Sequence, residues 1–140
     1  MLTTQLIDPE GDRLVIAPQI RPEHVAGIAA AGFRTIVNNR PDGEDGGIPS
    51  VAIRGEAERL GMTFVEQPVL FSKLTAADGA AFARTLATAP GPVFAYCRTG
   101  RRCAALWALA RAPERGVETV LRLTREAGQD LEELRSRLVG

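Results

Sequence analysis

Histidine is almost missing from this chain: His24 stands alone, with no second histidine and no cysteine pair at ligand spacing. That excludes the common zinc centres, and no metal or cofactor is expected. Cysteine is nearly as scarce, Cys97 and Cys103 being the only two. On a loop and the helix after it they are badly placed for a structural staple, so both read as thiols in a reducing compartment. An excess of charge of one sign is also lacking, since 17 basic residues balance 17 acidic ones. Without a general field there is no expectation of a nucleic-acid partner or an anionic membrane surface. No apolar run approaches the ~18 residues of a membrane span, and the stretch Met1-Leu2-Thr3-Thr4-Gln5-Leu6 lacks a basic region followed by a long apolar core. A cytoplasmic location is the expectation. Internal repeats and low-complexity segments are missing as well.

What remains is an ordinary globular composition, 45% hydrophobic and 24% charged over 140 residues. That length suits one compact domain over residues 1–140, able to bury a core without disulfides or metals.

Short β-branched or apolar runs alternate with helical patterns. Leu14-Val15-Ile16-Ala17 reads as a first strand and Pro22 opens a helix, whose anchors Val25, Ile28 and Ala29 recur at helical spacing up to Gly32. Thr35-Ile36-Val37 is a second strand. Ser50 is placed to cap a helix through Leu60, and Met62-Thr63-Phe64-Val65 gives a third strand. Thr75 and Asp78 form a capping box for an Ala-rich helix that ends before Pro90. Val93-Phe94-Ala95-Tyr96 is a fourth strand. Helices follow over Ala104–Arg111, Val117–Glu126 and Asp130–Leu138, the last with Asp130 and Glu133 as cap and partner. The alternation predicts an α/β fold, a mainly parallel four- or five-stranded sheet with helices on both faces. Ligands of such sheets bind beyond the carboxyl ends of the strands. The loops after residues 37, 66 and 96 all emerge there, and the first, Asn38 to Gly47, is long for a small domain.

The loop Cys97-Arg98-Thr99-Gly100-Arg101-Arg102 joins a buried strand to a helix. A helix N-terminus offers unpaired N–H groups and the positive end of a dipole, both of which favour a thiolate. Gly100 lets the backbone curl so that successive N–H groups converge on an anion. Arg98, Arg101 and Arg102 add positive charge, and Thr99 completes the anion-binding set. As a packing feature alone, three arginines around one cysteine and a glycine have little explanation.

Asn38-Asn39-Arg40-Pro41-Asp42-Gly43-Glu44, then Gln67-Pro68-Val69, then the cysteine loop with Leu106-Trp107-Ala108-Leu109 behind it, resemble the bacterial DUF442 family over nearly the whole chain. This is the phosphatase-like domain also found attached to β-lactamase-like hydrolases. The resemblance implies a fold like that of dual-specificity tyrosine phosphatases, and family members have been described both as phosphatases and as sulfurtransferases.

Those two reactions need different equipment. A phosphatase of this kind attacks phosphorus with its thiolate and protonates the departing oxygen with an aspartic acid. Its signature is His-Cys-x5-Arg-Ser/Thr. Here Tyr96 replaces the histidine, Arg102 comes one residue early and Cys103 follows it. A sulfurtransferase needs only the thiolate and an anion nest, and Cys-Arg-Thr-Gly-x-Arg resembles the loop of single-domain rhodaneses.

The resemblance tips the expectation to a cysteine-dependent phosphatase acting on a small anionic or phosphorylated substrate. Cys97 would be the nucleophile and Arg102 the anion clamp. The segment from Gln67 to Lys73 holds no carboxylate and Asp78 belongs to its capping box; Asp42, Glu44 and Asp45 sit on the other long loop at the same edge, and Asp42 is the preferred acid. Arg40 would bind the anion or tie down the acidic loop. Sulfur transfer through a Cys97 persulfide is the alternative, and a redox- or anion-sensing module, with Cys103 as a resolving thiol, is a third. Tyr96 is expected to pack in the sheet with its hydroxyl bonded nearby, and His24 to be exposed and remote. No signal fixes an oligomeric state.

Overall fold

The structure is a computed structural model that describes residues 4–9 and 11–139. Five strands form one sheet: β1 (Gln5–Ile7), β2 (Leu14–Ala17), β3 (Thr35–Asn38), β4 (Thr63–Glu66) and β5 (Val93–Tyr96), in the order β1-β2-β5-β3-β4. β5 lies in the middle, parallel to β2 on one side and to β3 on the other. All its residues are buried, which is why Val93-Phe94-Ala95-Tyr96 shows no alternation of polar and apolar positions. β4 runs parallel to β3, and only β1 is antiparallel, paired with β2 at the edge. β1 was not expected from the sequence: of its three residues only Ile7 is buried, too little for a period to register.

The two faces carry separate cores. Phe94 and Tyr96 of β5 point with Ile36 toward α1 (Val25–Ala30) and α2 (Ser50–Arg59), packing with Val25, Ile28, Ile53 and Ala57. Val93, Ala95 and Cys97 point to the other face, against α3 (Ala76–Thr88), α4 (Arg101–Arg115), α5 (Val117–Glu126) and α6 (Arg135–Leu138). Trp107 is the largest buried side chain there, and its indole N–H donates to Asp12 at 3.0 Å. The α3–α4 contact is close because of Gly79: a Cβ there would stand 2.6 Å from Cβ of Leu109.

Several expected boundaries shift. The first helix begins as a single 3-10 turn over Pro22–His24, where the His24 ring accepts the Arg21 N–H at 2.9 Å. α4 starts at Arg101, directly after Gly100, and continues through Pro113 to Arg115 instead of ending at Arg111. The last expected helix is a 3-10 turn, Glu132–Leu134, followed by the short α6; Asp130 accepts from the Glu132 N–H, while Glu133 pairs with Arg101. The capping box of Thr75 and Asp78 is present at α3. Ser50 does not cap α2. It is the first residue of that helix, and its own N–H is received by Asp42. Among the described residues no helix is long and apolar enough to cross a membrane.

Candidate active site

β5 delivers Cys97 to the centre of the carboxyl edge of the sheet, where its N–H still reaches the Ala17 carbonyl at the end of β2. The chain then curls. Gly100 adopts φ +91°, which side-chain-bearing residues rarely take, and α4 begins at once. The N–H of Gly100 donates to the Cys97 sulfur at 3.1 Å. The Cys103 thiol, in the first turn of α4, is set against the same sulfur, and the N–H groups of Cys103, Thr99 and Arg102 face it too. The Cys103 thiol first, then the N–H groups of Cys103, Thr99 and Arg102, outweigh burial and lower the Cys97 thiol to about 5, against an ordinary 9.0. Cys103 is shifted the other way: complete burial, then the neighbouring Cys97 sulfur, push its thiol up. The two shifts have opposite directions, so Cys97 is the thiol of the pair that ionises first. Both cysteines are free.

Only part of the expected arginine set surrounds this loop's mouth. Arg98, Arg102 and Arg40 line a cleft of about 390 Å³ together with Glu44 and Asp45. Arg101 does not. Its guanidinium lies over the Phe71 ring at 4.8 Å and binds the Asp130 carbonyl and Glu133, so it braces the far side of the loop. Thr99 is exposed, with its hydroxyl accepting the Arg101 N–H at 3.4 Å.

Arg102 is held by Glu44, whose two carboxylate oxygens accept from both terminal nitrogens at 2.8 Å, and it also donates to the Val69 carbonyl at 3.0 Å. Arg40 donates to the same carboxylate at 2.9 Å, and to the Asp45 carbonyl and the Gln19 side chain. Arg40 thus ties down the acidic loop through this salt bridge and at the same time lines the cleft. The hydrogen bond from Arg102, then that from Arg40, lower Glu44 to about 2. Glu44, placed by the sequence at this edge but passed over in favour of Asp42, is thus the carboxylate that engages the arginines. Nothing in its local pattern distinguishes it from Asp42 or Asp45; only the tertiary approach of Arg102, 58 positions away, does so.

Asp42, the preferred acid, is used elsewhere. Its carboxylate accepts the Ser50 N–H at 2.9 Å and faces the Ser50 hydroxyl, stabilising the start of α2, and it does not line the cleft. The reason is loop geometry: Gly43 and Gly46 both take positive φ and turn residues 44 and 45, not 42, toward the arginines. Tyr96 also departs from expectation. It packs in the sheet, yet its buried hydroxyl finds no partner among the described residues, and burial followed by the charges of Glu66 and Asp42 raises its phenol. His24 lies on the α1 side, away from the cleft. No cluster of metal-ligating side chains occurs among the described residues.

Residues 10–114 match the family described as the phosphatase-like domain of the β-lactamase hydrolase-like protein. The chain belongs to this family. A β-lactamase hydrolase-like protein of Agrobacterium fabrum is 39% identical over 102 residues, 72% of this chain and 24% of the relative. The chain thus spans about a quarter of the length of the curated relatives it matches. A crystal structure from Neisseria meningitidis, provisionally described as that of a phosphatase, superposes with a TM-score of 0.83 at 35% identity and covers 95% of each chain. Pseudomonas aeruginosa TpbA crystallised with phosphotyrosine shares the fold, with a TM-score of 0.62 at 19% identity over 98% of this chain and 96% of its own. The phosphatase-like domain fold and the tyrosine-phosphatase-like arrangement of sheet and helices are therefore shared.

Proposed function

We propose that this phosphatase-like domain hydrolyses phosphate monoesters through a cysteinyl-phosphate on Cys97. The observation that carries the proposal is the Cys97 sulfur beneath converging backbone N–H groups at the mouth of α4, in a fold shared with phosphatases. The thiolate attacks phosphorus, the ester oxygen leaves, and water then cleaves the thiophosphate bond. A phosphoryl group carried on the Cys97 sulfur would lie at the N-terminus of α4, where N–H groups and the helix dipole favour anionic oxygens, and Arg98 and Arg102 supply positive charge at the rim.

Neither of the two partnered carboxyl groups, Asp42 and Glu44, is arranged as an acid, and Asp45 on the cleft wall is exposed to solvent. Asp42 is committed to α2, and Glu44 is held ionised by two arginines. Turnover is therefore expected to depend steeply on the acidity of the leaving group, so that aryl phosphates react and alkyl phosphates scarcely do. The test is a series of aryl phosphates assayed with the wild type and with Cys97→Ser. Cys97-dependent turnover that vanadate inhibits supports the proposal; its absence from acidic to neutral pH refutes it.

Sulfur transfer is favoured by one specific observation, the five-residue step from Cys97 to Arg102 combined with the commitment of Asp42 to α2 and of Glu44 to two arginines. A gain of one sulfur atom in intact mass after thiosulfate treatment, absent in Cys97→Ser, would identify that reaction.

A further inference from the structure

The cysteine loop is held from outside at two of its peptides. In a trans peptide the carbonyl and the N–H point in opposite directions, so fixing one aims the other. The peptide from Arg98 to Thr99 has its carbonyl bound by the backbone N–H of Gln19 at 3.3 Å, and its N–H faces the Cys97 sulfur. The peptide from Thr99 to Gly100 has its carbonyl bound at 3.2 Å by the side-chain amide of Gln129, and its N–H donates to that sulfur at 3.1 Å. A carbonyl only accepts, so the nitrogen end of the Gln129 amide is the end that faces it.

Gln129 is itself firmly placed. Its backbone N–H binds the Thr124 carbonyl at the end of α5 at 2.8 Å, Gly128 makes the turn at φ +93°, and buried Leu131 and Leu134 anchor the chain just after it. The fit to the loop is close, since a Cβ on Gly100 would lie 3.3 Å from the Gln129 amide nitrogen. Residue 129 lies outside the 10–114 family match, so the brace comes from a part of the chain beyond the family's own motifs.

We propose that Gln129 is a positioning residue for the candidate nucleophile: by holding the Thr99 carbonyl outward, it turns the Gly100 N–H onto the Cys97 sulfur and favours the thiolate. This rests on the reading of Cys97 as the working thiolate. The other groups that face Cys97 are the Cys103 thiol and the Arg102 guanidinium, both on α4, with Glu44 balancing the latter. Neither side chain is hydrogen-bonded to Gln129, so replacing it leaves their contacts in place.

The experiment is a pH titration of thiolate ultraviolet absorbance in the full chain, with Cys97→Ser as the blank, for the wild type, Gln129→Met, Gln129→Glu and Gln129→Lys. Methionine keeps the length of the side chain without its donor. The expected result is an upward shift of the Cys97 midpoint by about one pH unit in Gln129→Met, the worth of one weakened hydrogen bond to a charged acceptor. Gln129→Glu, whose ionised carboxylate repels the Thr99 carbonyl, should shift it at least as far. Gln129→Lys, which restores a donor, should return the midpoint toward the wild type. An acidic wild-type midpoint that stays in place in both Gln129→Met and Gln129→Glu overturns the inference alone. A wild-type midpoint in the ordinary thiol range overturns the thiolate reading, and the inference with it. Thermal melting shows that each variant compared is folded, which a replacement on a partly exposed loop is expected to allow.

Discussion

Replacing Glu44 by glutamine removes the one negative charge that joins Arg40 to Arg102 while keeping the shape of the side chain. The Glu44 carboxyl sits at about 2 instead of 4.5 because Arg102 and then Arg40 hydrogen-bond its ionised form. A shift of that size corresponds to at most ~3.5 kcal/mol at ~1.4 kcal/mol per pH unit. The Glu44 side chain is 28% exposed, so solvent screening reduces this, and about 2 kcal/mol is the expected loss. Arg40, only 4% exposed, keeps its bonds to Gln19 and the Asp45 carbonyl, which limits the damage. In a chain of this length the loss lowers the melting temperature by roughly 4–8 °C. The sign of the pH dependence is fixed by the direction of the shift. A carboxyl with a depressed folded value stabilises fully above 4.5 and loses that contribution as pH falls through about 2. Urea unfolding of the wild type and Glu44→Gln should therefore show a gap at neutral pH that narrows steadily below 4.5. Equal stability at neutral pH, or a gap that persists undiminished at the acid end, would refute the assignment of Glu44 as the ionic clasp of Arg102.

Asp42→Ala should cost about 1 kcal/mol, the usual worth of a helix N-terminal side-chain acceptor, while leaving Cys97-dependent turnover intact; a large fall in turnover at unchanged substrate affinity would return Asp42 to the role of acid. Cys103→Ala should raise the Cys97 thiol by about one pH unit toward its ordinary range, because it deletes the largest stabilising donor, whereas Cys103→Ser, which keeps a donor, should leave most of the depression in place. An unchanged Cys97 midpoint in Cys103→Ala, read by the same thiolate titration, would show that the backbone N–H groups act alone.

The fold was legible in the sequence because its parallel strands are short continuous apolar runs, each followed by a helix with its own start or stop signal. Thr75 with Asp78 and the buried run of Val93 to Tyr96 are where expected. β1 escaped because a three-residue edge strand with one buried side chain leaves no pattern, and Pro113 hid the length of α4 because tertiary packing of that helix outweighs a proline near its end. The Cys97 loop was legible for a local reason. A cysteine between a buried strand and a helix, with Gly100 three residues on, sets its own backbone geometry within a few residues.

The allocation of charged partners was not local, and the sequence could not assign it. Asp42, Glu44 and Asp45 are near neighbours on one glycine-rich loop, yet one caps α2, one clasps two arginines and one offers its carbonyl to Arg40. Arg101 and Arg102 are adjacent, yet a helix turns successive side chains about 100° apart, so one faces Phe71 and Glu133 and the other faces Glu44. By itself the sequence determined a cysteine in a strand-to-helix loop at the carboxyl edge of a mainly parallel sheet. Which side chains tune that cysteine, Cys103 from within and Gln129 from behind, was decided only when the folded chain brought together residues up to 32 positions apart, because a hydrogen bond depends on distance and direction and not on separation along the chain.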